Sequence, residues 1–358
     1  MISLKNVSAR AGAFALHDIT FDVPQGAYGV VIGPAGSGKT TLLETIAGVV
    51  RAQSGTIMLG GEDLTHAPPE QRRLGIVYQH AYLFPHLSVR ENIEYGAASP
   101  SAASDVASRF GVDTFGHRRV DSLSGGERQL VAMARTLARR PEVLLLDEPF
   151  SALDPRTRNI ARRLLRTIYF ERRFTVLQVT HDFTEAGLLG DIAVMLDGGR
   201  IVQKGDPEQV FRKPASPYIA DFLGAENVFA GTARPIRDEA PDWFASDEKE
   251  FIQHAVAFTT GSLTFYALGD VVPGPTHAVI RAEEISLSTS EPSMSSVQNQ
   301  FRGKVKEIVP AGALTRVTVD AAGTPIVAAV TARSVRELQL FTGVDVVVGF
   351  KATAVHLC

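Results

Sequence analysis

The stretch Gly33-Pro-Ala-Gly-Ser-Gly-Lys-Thr40 matches the pattern G-x-x-x-x-G-K-[ST]. It follows the apolar run Tyr28-Gly-Val-Val-Ile32 and precedes the helix-compatible run Thr41-Leu-Leu-Glu-Thr-Ile-Ala47, which is the context of a phosphate-binding loop. The glycines let successive backbone N–H groups turn towards a phosphate, and the following helix adds its positive amino end. We therefore expect a strand, a phosphate loop and a helix between residues 28 and 47.

The residues of this loop have separate expected roles. The predicted phosphate ligands are Gly33, Gly36, Ser37, Gly38, Lys39, Thr40 and Thr41. Lys39 would reach the β- and γ-phosphates of a nucleoside triphosphate, and the Thr40 hydroxyl would hold Mg²⁺. A glycine-rich turn that matches by chance is the alternative, and the flanking strand and helix patterns argue against it.

Two carboxylates end a second apolar run, Val143-Leu-Leu-Leu-Asp147-Glu148. The carboxyl end of a parallel strand lies beside the phosphate loop in such sheets, so we expect Asp147 to join Thr40 in the Mg²⁺ shell. Glu148, turned the other way, would accept a proton from an attacking water. The acidic pair therefore predicts hydrolysis of the bound triphosphate.

The composition excludes several other classes of protein. The 358 residues carry 36 Lys and Arg against 39 Asp and Glu, so no overall basic field would attract nucleic acid. The single cysteine, Cys358, cannot form an internal disulfide, which fits a reducing compartment. No run of 18 apolar residues occurs and the start lacks the apolar region of a signal peptide. We expect a cytosolic chain that does not itself span a membrane.

The residue pattern divides the chain into three parts. Up to about residue 205, short apolar runs alternate with helical patterns, which indicates an α/β fold. The predicted strands are 28–32, 74–78, 143–147, 174–179 and 192–196. We expect an ATPase domain at 1–225 with a helical insertion at about 80–140, and then small OB-like β-barrels at 226–290 and 291–358. Ser286 to Ser296 has the composition of a linker, and we detect no internal repeat.

Leu123-Ser-Gly-Gly-Glu-Arg-Gln129 distinguishes this chain among phosphate-loop proteins. Ser124 suits a helix N-cap, and the glycines allow backbone N–H groups to approach an anion. The string resembles the signature sequence of ATP-binding-cassette (ABC) ATPases. The other cassette motifs are present in the expected order over residues 1 to about 225: Gln79 after a strand, Ser151-Ala-Leu-Asp154 after the acidic pair, and His181 after the next strand.

This resemblance implies a head-to-tail homodimer that binds ATP and Mg²⁺. Each ATP would lie between the phosphate loop of one subunit and four residues of the other, Ser124, Gly125, Gly126 and Glu127. Gln79 would link Mg²⁺ and the water to the helical insertion, and His181 would contact the γ-phosphate. Asp154 would be among the nucleotide-binding residues. Because the γ-phosphate would join the two subunits, ATP would favour the closed dimer and hydrolysis would release it.

The residue that stacks on adenine is left open by the sequence. The family usually places an aromatic residue in the first hairpin, where this chain has Arg10-Ala-Gly-Ala-Phe14. Phe14 would stack on the base, with Ala11 as the other position, although an apolar residue in a strand is often part of the core.

A second resemblance concerns transport. Phe84-Pro-His-Leu-Ser-Val-Arg-Glu-Asn-Ile93 resembles importer ATPases that serve binding-protein-dependent permeases. This implies two transmembrane permease subunits, a solute-binding protein acting indirectly, and a peripheral position at the cytoplasmic face of the cell membrane. The apolar cluster Tyr82-Leu-Phe-Pro-His-Leu87 would form a groove for a permease helix, with local packing as the alternative.

The cargo is predicted from the C-terminal part. Gly12-Ala-Phe14 and the segments 296–303, 330–335 and 350–355 resemble molybdate/tungstate importer ATPases with a molbindin-like oxyanion domain. The resemblance implies four oxyanion ligands: Ser296, Ser334, Lys351 and Thr353. Gln298 stands where the family often has arginine, so the barrel would alternatively serve only as a dimer spacer. Importers of sulfate, ferric iron or sugar, or a soluble ABC ATPase without transport, are the other interpretations.

Overall fold

The chain folds into two compact units, Met1–Val210 and Phe211–Cys358. In the computed structural model the described residues are 1–236, 254–269, 273–290 and 296–358. The division lies ahead of the sequence-predicted boundary at residue 225. Within the described residues, no helix has the length and apolar composition needed to cross a bilayer.

The first unit contains two sheets. Its strands are Ile2–Ala11 (β1), Phe14–Val23 (β2), Tyr28–Ile32 (β3), Ala52–Leu59 (β4), Glu62–Asp63 (β5), Gly75–Val77 (β6), Val143–Asp147 (β7), Thr175–Val179 (β8), Ile192–Asp197 (β9) and Arg200–Gly205 (β10). One sheet has the order β2-β1-β4-β5 and is antiparallel. The other has the order β10-β9-β3-β8-β7-β6, in which only β10 is antiparallel to its neighbour.

Helices fill the connections between these strands and continue beyond them. They are Lys39–Ala47 (α1), Val89–Glu94 (α2), Pro100–Arg109 (α3), Gly125–Ala138 (α4), Pro155–Arg172 (α5), Phe183–Leu189 (α6), Pro207–Arg212 (α7) and Pro217–Phe222 (α8). The α/β fold class and the predicted strands are confirmed. Helices α2, α3 and α4 form the predicted helical insertion, and both Ser88 and Ser124 begin their helices with reciprocal capping boxes.

The parallel sheet brings the chemistry-bearing segments to one edge. Every residue of β3, β7 and β8 is buried, as expected for strands covered on both faces. Because β3 pairs with β8 and β8 pairs with β7 in parallel, their carboxyl ends are adjacent. The phosphate loop, Asp147-Glu148 and Thr180-His181 follow these three ends directly, so they meet at this edge of the sheet.

The second unit contains two five-stranded antiparallel sheets that curl around one core. Its strands are Asn227–Pro235 (β11), Ala255–Thr260 (β12), Leu263–Leu268 (β13), Gly274–Ile280 (β14), Ser286–Ser288 (β15), Asn299–Ala311 (β16), Leu314–Ala321 (β17), Thr324–Thr331 (β18), Asp345–Phe350 (β19) and His356–Leu357 (β20), with helix Ala332–Glu337 (α9). The sheet orders are β13-β12-β11-β14-β20 and β15-β19-β16-β17-β18.

These two sheets are a structural duplication, which the sequence analysis missed. β11 to β14 pair in the same order as β16 to β19, and each set is followed by a 3₁₀ turn and a short strand. Asn227-Val-Phe-Ala-Gly231 and Asn299-Gln-Phe-Arg-Gly303 begin the two halves. Asn227 bonds both the N–H and the C=O of Val327, and Asn299 does the same to Tyr266. Between these anchors the side chains differ too much for the repeat to be visible in the sequence.

The two halves also exchange strands, so the predicted linker at residues 286–296 is wrong at its beginning. Ser286–Ser288 is strand β15 and pairs with β19 of the other half, while β20 pairs with β14. Both halves contribute to a single hydrophobic core, in which the ring centroids of Phe265 and Phe350 lie 5.3 Å apart. Residues 291–295 of the predicted linker lie outside the described residues.

Candidate active site

A pocket of about 390 Å³ lies at the carboxyl edge of the parallel sheet. The sequence-predicted residues that line it are Phe14, Gly36, Gly38, Lys39, Thr40, Thr41, Gln79, Asp147 and Glu148. They come from the first hairpin, the phosphate loop, the end of β6 and the end of β7. The fold therefore brings together residues that are up to about 130 positions apart in the sequence.

The phosphate loop is built around Lys39 and three glycines with positive φ. The Lys39 Nζ donates to the carbonyl oxygens of Gly33 and Pro34, each at 2.8 Å, so the ammonium group is held inside the loop. Gly33, Gly36 and Gly38 have φ of 156°, 79° and 101°. Burial lowers the pKa of Lys39, and the nearby charges of Glu148 and Asp147 oppose this. The loop thus holds a cation in a mostly enclosed position.

Ser37 is the buried hydroxyl of this loop. It is 2% exposed, and its Oγ has no hydrogen-bond partner among the described residues. A buried hydroxyl without a partner is costly unless another group can bond it. This observation fits a loop that bonds phosphate oxygens.

Thr40 and Asp147 form an oxygen pair at the base of the pocket. The Thr40 hydroxyl donates to Asp147 Oδ2 at 2.9 Å, and Asp147 is 4% exposed. Burial raises the pKa of Asp147, the hydrogen bond from Thr40 opposes this, and the charge of Glu148 adds to the rise. A hydroxyl and a carboxylate are oxygen donors of the kind Mg²⁺ prefers, so the residues present fit the metal.

Glu148 and His181 form the second pair. His181 Nδ1 lies 2.9 Å from Glu148 Oε1, and the His181 side chain is 67% exposed. Glu148 has φ of 44°, an uncommon conformation for a residue other than glycine, and its N–H donates to Val179 O at 3.0 Å. The Glu148 carboxylate thus meets His181, two residues beyond the end of β8. Its role as a general base stays a prediction.

Gln79 is exposed, and a buried residue that the sequence analysis missed supports the segment before it. The Gln129 Nε2 donates to the carbonyl oxygen of Tyr78 at 3.0 Å, and Gln129 is 1% exposed. Gln129 lies on α4, the helix that begins at the signature sequence. A polar residue on the buried face of an amphipathic helix is the signal that could have identified it.

The signature residues lie elsewhere in this chain. Ser124 caps α4, and its N–H donates to Glu127 Oε2 at 2.7 Å. Glu127 Oε1 also lies 3.2 Å from the Arg118 guanidinium. The hydrogen bonds from Ser124 are the main cause of the lowered pKa of Glu127. Neither these residues nor Gly125 and Gly126 line the pocket, so a role at an ATP site of a second subunit stays a prediction.

Asp154 and Phe14 have observed structural roles beside their predicted ones. Asp154 Oδ1 accepts from the N–H groups of Arg156 and Thr157 and so caps α5. Phe14 packs against the phosphate loop, since a Cβ on Gly38 would lie 2.4 Å from Phe14 Cε1. Phe14 lines the pocket and Ala11 pairs with it in the hairpin. The residue that stacks on adenine stays a prediction.

An aromatic surface follows Gln79 on the helical insertion. Tyr82 is 67% exposed and Tyr95 is 59% exposed, while the Phe84 and Tyr95 rings lie 4.5 Å apart. Asn92 is fully buried and shapes this loop: its Oδ1 accepts from Phe84 N, and its Nδ2 donates to Phe84 O. The apolar cluster is thus held by polar bonds and keeps two tyrosine rings at the surface.

The four sequence-predicted oxyanion ligands belong to the second unit. Ser296, Lys351 and Thr353 are exposed, and Ser334 lies on α9 with its N–H bonded to Thr331 Oγ1. Within the described part of the chain, no hydrogen bond or ion pair joins any two of the four. Gln298 Oε1 accepts from Ala352 N at 3.2 Å. An oxyanion site at these residues stays a prediction.

The duplication places a different residue at the position of Lys351 in the first half. Arg281 precedes the first 3₁₀ turn as Lys351 precedes the second. Its guanidinium donates to the carbonyl oxygens of Phe211 and Leu223. The two halves are therefore not equivalent at this position, because Arg281 is bonded to backbone while Lys351 is exposed.

Comparisons with known proteins agree with this architecture. Residues 16–151 match the profile described as ABC transporter, and residues 295–357 match the TOBE domain. The molybdate/tungstate import ATP-binding protein WtpC of Pyrococcus horikoshii is 37% identical over 100% of this chain and 99% of the relative. The sulfate/thiosulfate import ATP-binding protein CysA of Bacillus cereus is 44% identical over 64% of this chain and 68% of the relative.

A solved structure supports the assignment of the first unit. The dimeric structure of the ATP-binding cassette MJ0796 bound to ADP and Pi has a TM-score of 0.53 and 29% identity, covering 58% of this chain and 99% of that chain. The phosphate loop, its acidic partners and the parallel sheet define a nucleotide-binding ATPase of the cassette type. The chain belongs to the family of ABC-transporter import ATP-binding proteins that carry a TOBE domain.

Proposed function

We propose that this chain is the ATP-hydrolysing subunit of a molybdate/tungstate importer. Two copies would close head to tail around ATP beneath two transmembrane permease subunits, at the cytoplasmic face of the cell membrane, with a solute-binding protein delivering the oxyanion. The observation that carries the proposal is that WtpC relatives align with the whole chain, including the duplicated second unit.

Sulfate/thiosulfate import is the second candidate. The CysA relatives are more similar in identity, at 44%, but the alignment covers 64% of this chain. Because phosphoryl chemistry is the same whichever solute is carried, high identity within an ATPase region does not distinguish cargo. The full-length likeness is the stronger argument, and it favours molybdate or tungstate.

The pocket residues support ATP hydrolysis in distinct ways. The phosphate loop and Lys39 would bind the β- and γ-phosphates, and Ser37 would donate its free hydroxyl to a phosphate oxygen. Thr40, Asp147 and Gln79 would hold Mg²⁺, which when bound neutralises charge on the phosphates. Glu148 would take the proton of the attacking water, and His181 would keep the Glu148 carboxylate in place.

We predict that Glu148→Gln binds ATP and loses hydrolysis by about a hundredfold or more, because the amide cannot accept the proton. The variant should accumulate as a dimer with Mg-ATP in analytical ultracentrifugation and as a monomer without it. Glu171→Gln, an exposed carboxylate on α5 that bonds Arg109, is the matched control and should keep the hydrolysis rate. Near-normal hydrolysis by Glu148→Gln would remove Glu148 from its role, and a persistent monomer would contradict the closed dimer.

Cargo is tested by uptake in cells that carry Glu148→Gln in place of the native gene. We expect uptake of radiolabelled molybdate and tungstate to fall to background while sulfate uptake is unchanged. The comparison uses cells with Glu171→Gln, which should take up all three anions normally. Loss of sulfate uptake with molybdate uptake retained would show that the second candidate is correct.

A further inference from the structure

A buried ion pair lies behind the active site and joins α5 to α6. The Glu185 side chain is 5% exposed and the Arg162 side chain is 11% exposed, with Arg162 Nη2 3.0 Å from Glu185 Oε1. Glu185 Oε2 accepts from Gln178 Nε2 at 2.7 Å and from Thr180 Oγ1 at 2.8 Å. Burial raises the pKa of Glu185, and the hydrogen bonds from Thr180 and Arg162 oppose this. The carboxylate is thus fully bonded although it is out of water.

The same pair holds the backbone on both sides of His181. Thr180 Oγ1 donates to Glu185 and also accepts from the N–H of Asp182 at 3.0 Å. Arg162 Nη2 lies 3.3 Å from Asp182 Oδ2, whose partner oxygen accepts from the N–H of Glu185 at 3.3 Å. His181 itself is exposed and contributes none of these bonds. Its position is therefore set by Thr180 and Asp182, which the ion pair anchors.

The bonds also reach two further elements that adjoin site residues, β3 and α5. The Tyr28 hydroxyl donates to Gln178 Oε1, and Tyr28 belongs to β3, the strand that leads into the phosphate loop. Arg162 belongs to α5, whose N-cap is Asp154. A single buried polar network consequently joins β3, β8, α5 and the His181 segment.

We propose that Arg162 and Glu185 are positioning residues for ATP hydrolysis: their ion pair fixes Thr180 and Asp182 and so keeps His181 Nδ1 on the Glu148 carboxylate. Neither side chain lines the pocket, so the pair acts through His181. The inference rests on the ATP hydrolysis of the proposed function and not on its cargo. A different transported solute would leave it intact.

Stability alone is a weaker explanation of this pair. Taking two charges out of water costs about as much as their attraction returns, so apolar side chains of similar size would stabilise the core as well or better. Arg162 Nε is also buried without a partner in the described structure. The buried pair adds little to the free energy of unfolding, and it is bonded to the residues on both sides of His181. Positioning of His181 is therefore the better explanation of the pair.

The test is a double-mutant cycle on the full-length chain, with Glu185→Gln, His181→Ala and the double variant. Glu185→Gln keeps the shape but turns an amide N–H₂ towards donors. We expect kcat for ATP to fall about tenfold with KM unchanged, since a small misplacement of a positioned group slows the reaction without changing binding. In the His181→Ala background, Glu185→Gln should not lower kcat any further, because the imidazole that Glu185 positions is absent.

Three results would overturn the proposal. The first is an equal fold-loss of kcat in both backgrounds, which a merely structural role predicts. The second is an unchanged kcat when Glu185→Gln is made alone, and the third is full activity of His181→Ala. If Glu185→Gln does not fold, Arg162→Lys is measured in the same two backgrounds with the same criteria. Glu171→Gln, the same chemical change on α5 at a carboxylate outside this network, is the control.

Discussion

At the scale of single residues, the candidate active site contains backbone conformations that few side chains adopt. Glu148 has φ of 44°, which costs a non-glycine residue about 1–2 kcal/mol. The Glu148 N–H donates to Val179 O, and the carboxylate lies beside His181 Nδ1. Both the backbone and the side chain of Glu148 are therefore held by contacts. Strain of this kind persists only where surrounding bonds over-determine it.

The glycines of the phosphate loop are expected to differ in how much an alanine substitution destabilises the protein. A Cβ on Gly33 would lie 2.0 Å from the carbonyl oxygen of Leu196, a backbone atom that cannot move aside. A Cβ on Gly38 would meet the side chains of Phe14 and Leu16, the nearest atom being Phe14 Cε1 at 2.4 Å, and side chains can shift where backbone cannot. We expect Gly33→Ala to lower the free energy of unfolding most, by about 3 kcal/mol or more, and Gly38→Ala to lower it less. Thermal and urea unfolding of the nucleotide-free protein measures the order.

Gly36→Ala is the internal control for this series. Gly36 has φ of 79° but no atom within 4 Å of its added Cβ, so only the conformational cost of about 1–2 kcal/mol remains. A loss for Gly36→Ala as large as that for Gly33→Ala would show that contact with Leu196 is not what requires glycine at position 33.

Residue patterns predicted the part of the site that lies in contiguous motifs. Lys39, Thr40, Asp147 and Glu148 line one pocket as expected, because short motifs at strand ends are brought together by a parallel sheet. Gln129 was missed, and so was the pair of Arg162 and Glu185. The amphipathic pattern of α4 could have identified Gln129, which lies on the buried face of that helix. The contact between Arg162 and Glu185 joins two different helices, so no local pattern predicts it.

At the scale of elements, burial explains which strands were predictable. β3, β7 and β8 are buried on both faces and appear as nearly continuous apolar runs. Strands β1 and β2 carry exposed polar residues between buried ones, so their sequences resemble loops as much as strands. Alternation of apolar and polar residues, which arises when one face of a strand meets water, is a weaker signal than a continuous apolar run.

Short strands were the least predictable elements. β15 has three residues and β20 has two, and both are held by pairing with a strand of the other half of the second unit. So few residues have no periodicity to detect. The serines of β15 gave this segment the composition of a linker, but its backbone pairs with β19 and so forms a strand.

At the scale of the whole molecule, the second unit is a duplicated fold whose halves are interlocked. Each half supplies the other with a final short strand and with one buried asparagine that bonds a partner strand. The halves share one hydrophobic core. They therefore stabilise each other, and we expect the second unit to unfold as one cooperative body rather than as two barrels.

The two asparagines test this expectation. Asn227 and Asn299 are each 1% exposed, and truncation to alanine would leave the N–H and C=O of Val327 or Tyr266 without their partner. Each substitution should lower the free energy of unfolding of the second unit by about 1–3 kcal/mol. Urea unfolding followed by hydrogen exchange should show amides of both halves exposed together in either variant.

Asn159→Ala is the comparison for these variants. Asn159 is exposed on α5 of the first unit and should leave the unfolding of the second unit unchanged. If Asn227→Ala exposed only β11 to β14 and left β16 to β19 protected, the halves would be independent and the interlocked description would be wrong.

The amino-acid sequence by itself determined the chemistry of this protein: the phosphate loop, the acidic pair, the signature sequence and the apolar strands that position them. These features are local, so their residue types and spacing are sufficient to predict them. Only the tertiary structure decided the strand exchange, the duplication and the buried Arg162–Glu185 pair. Each of these depends on contacts between distant segments, and such contacts are selected by the packing of the whole chain rather than by any one stretch of it.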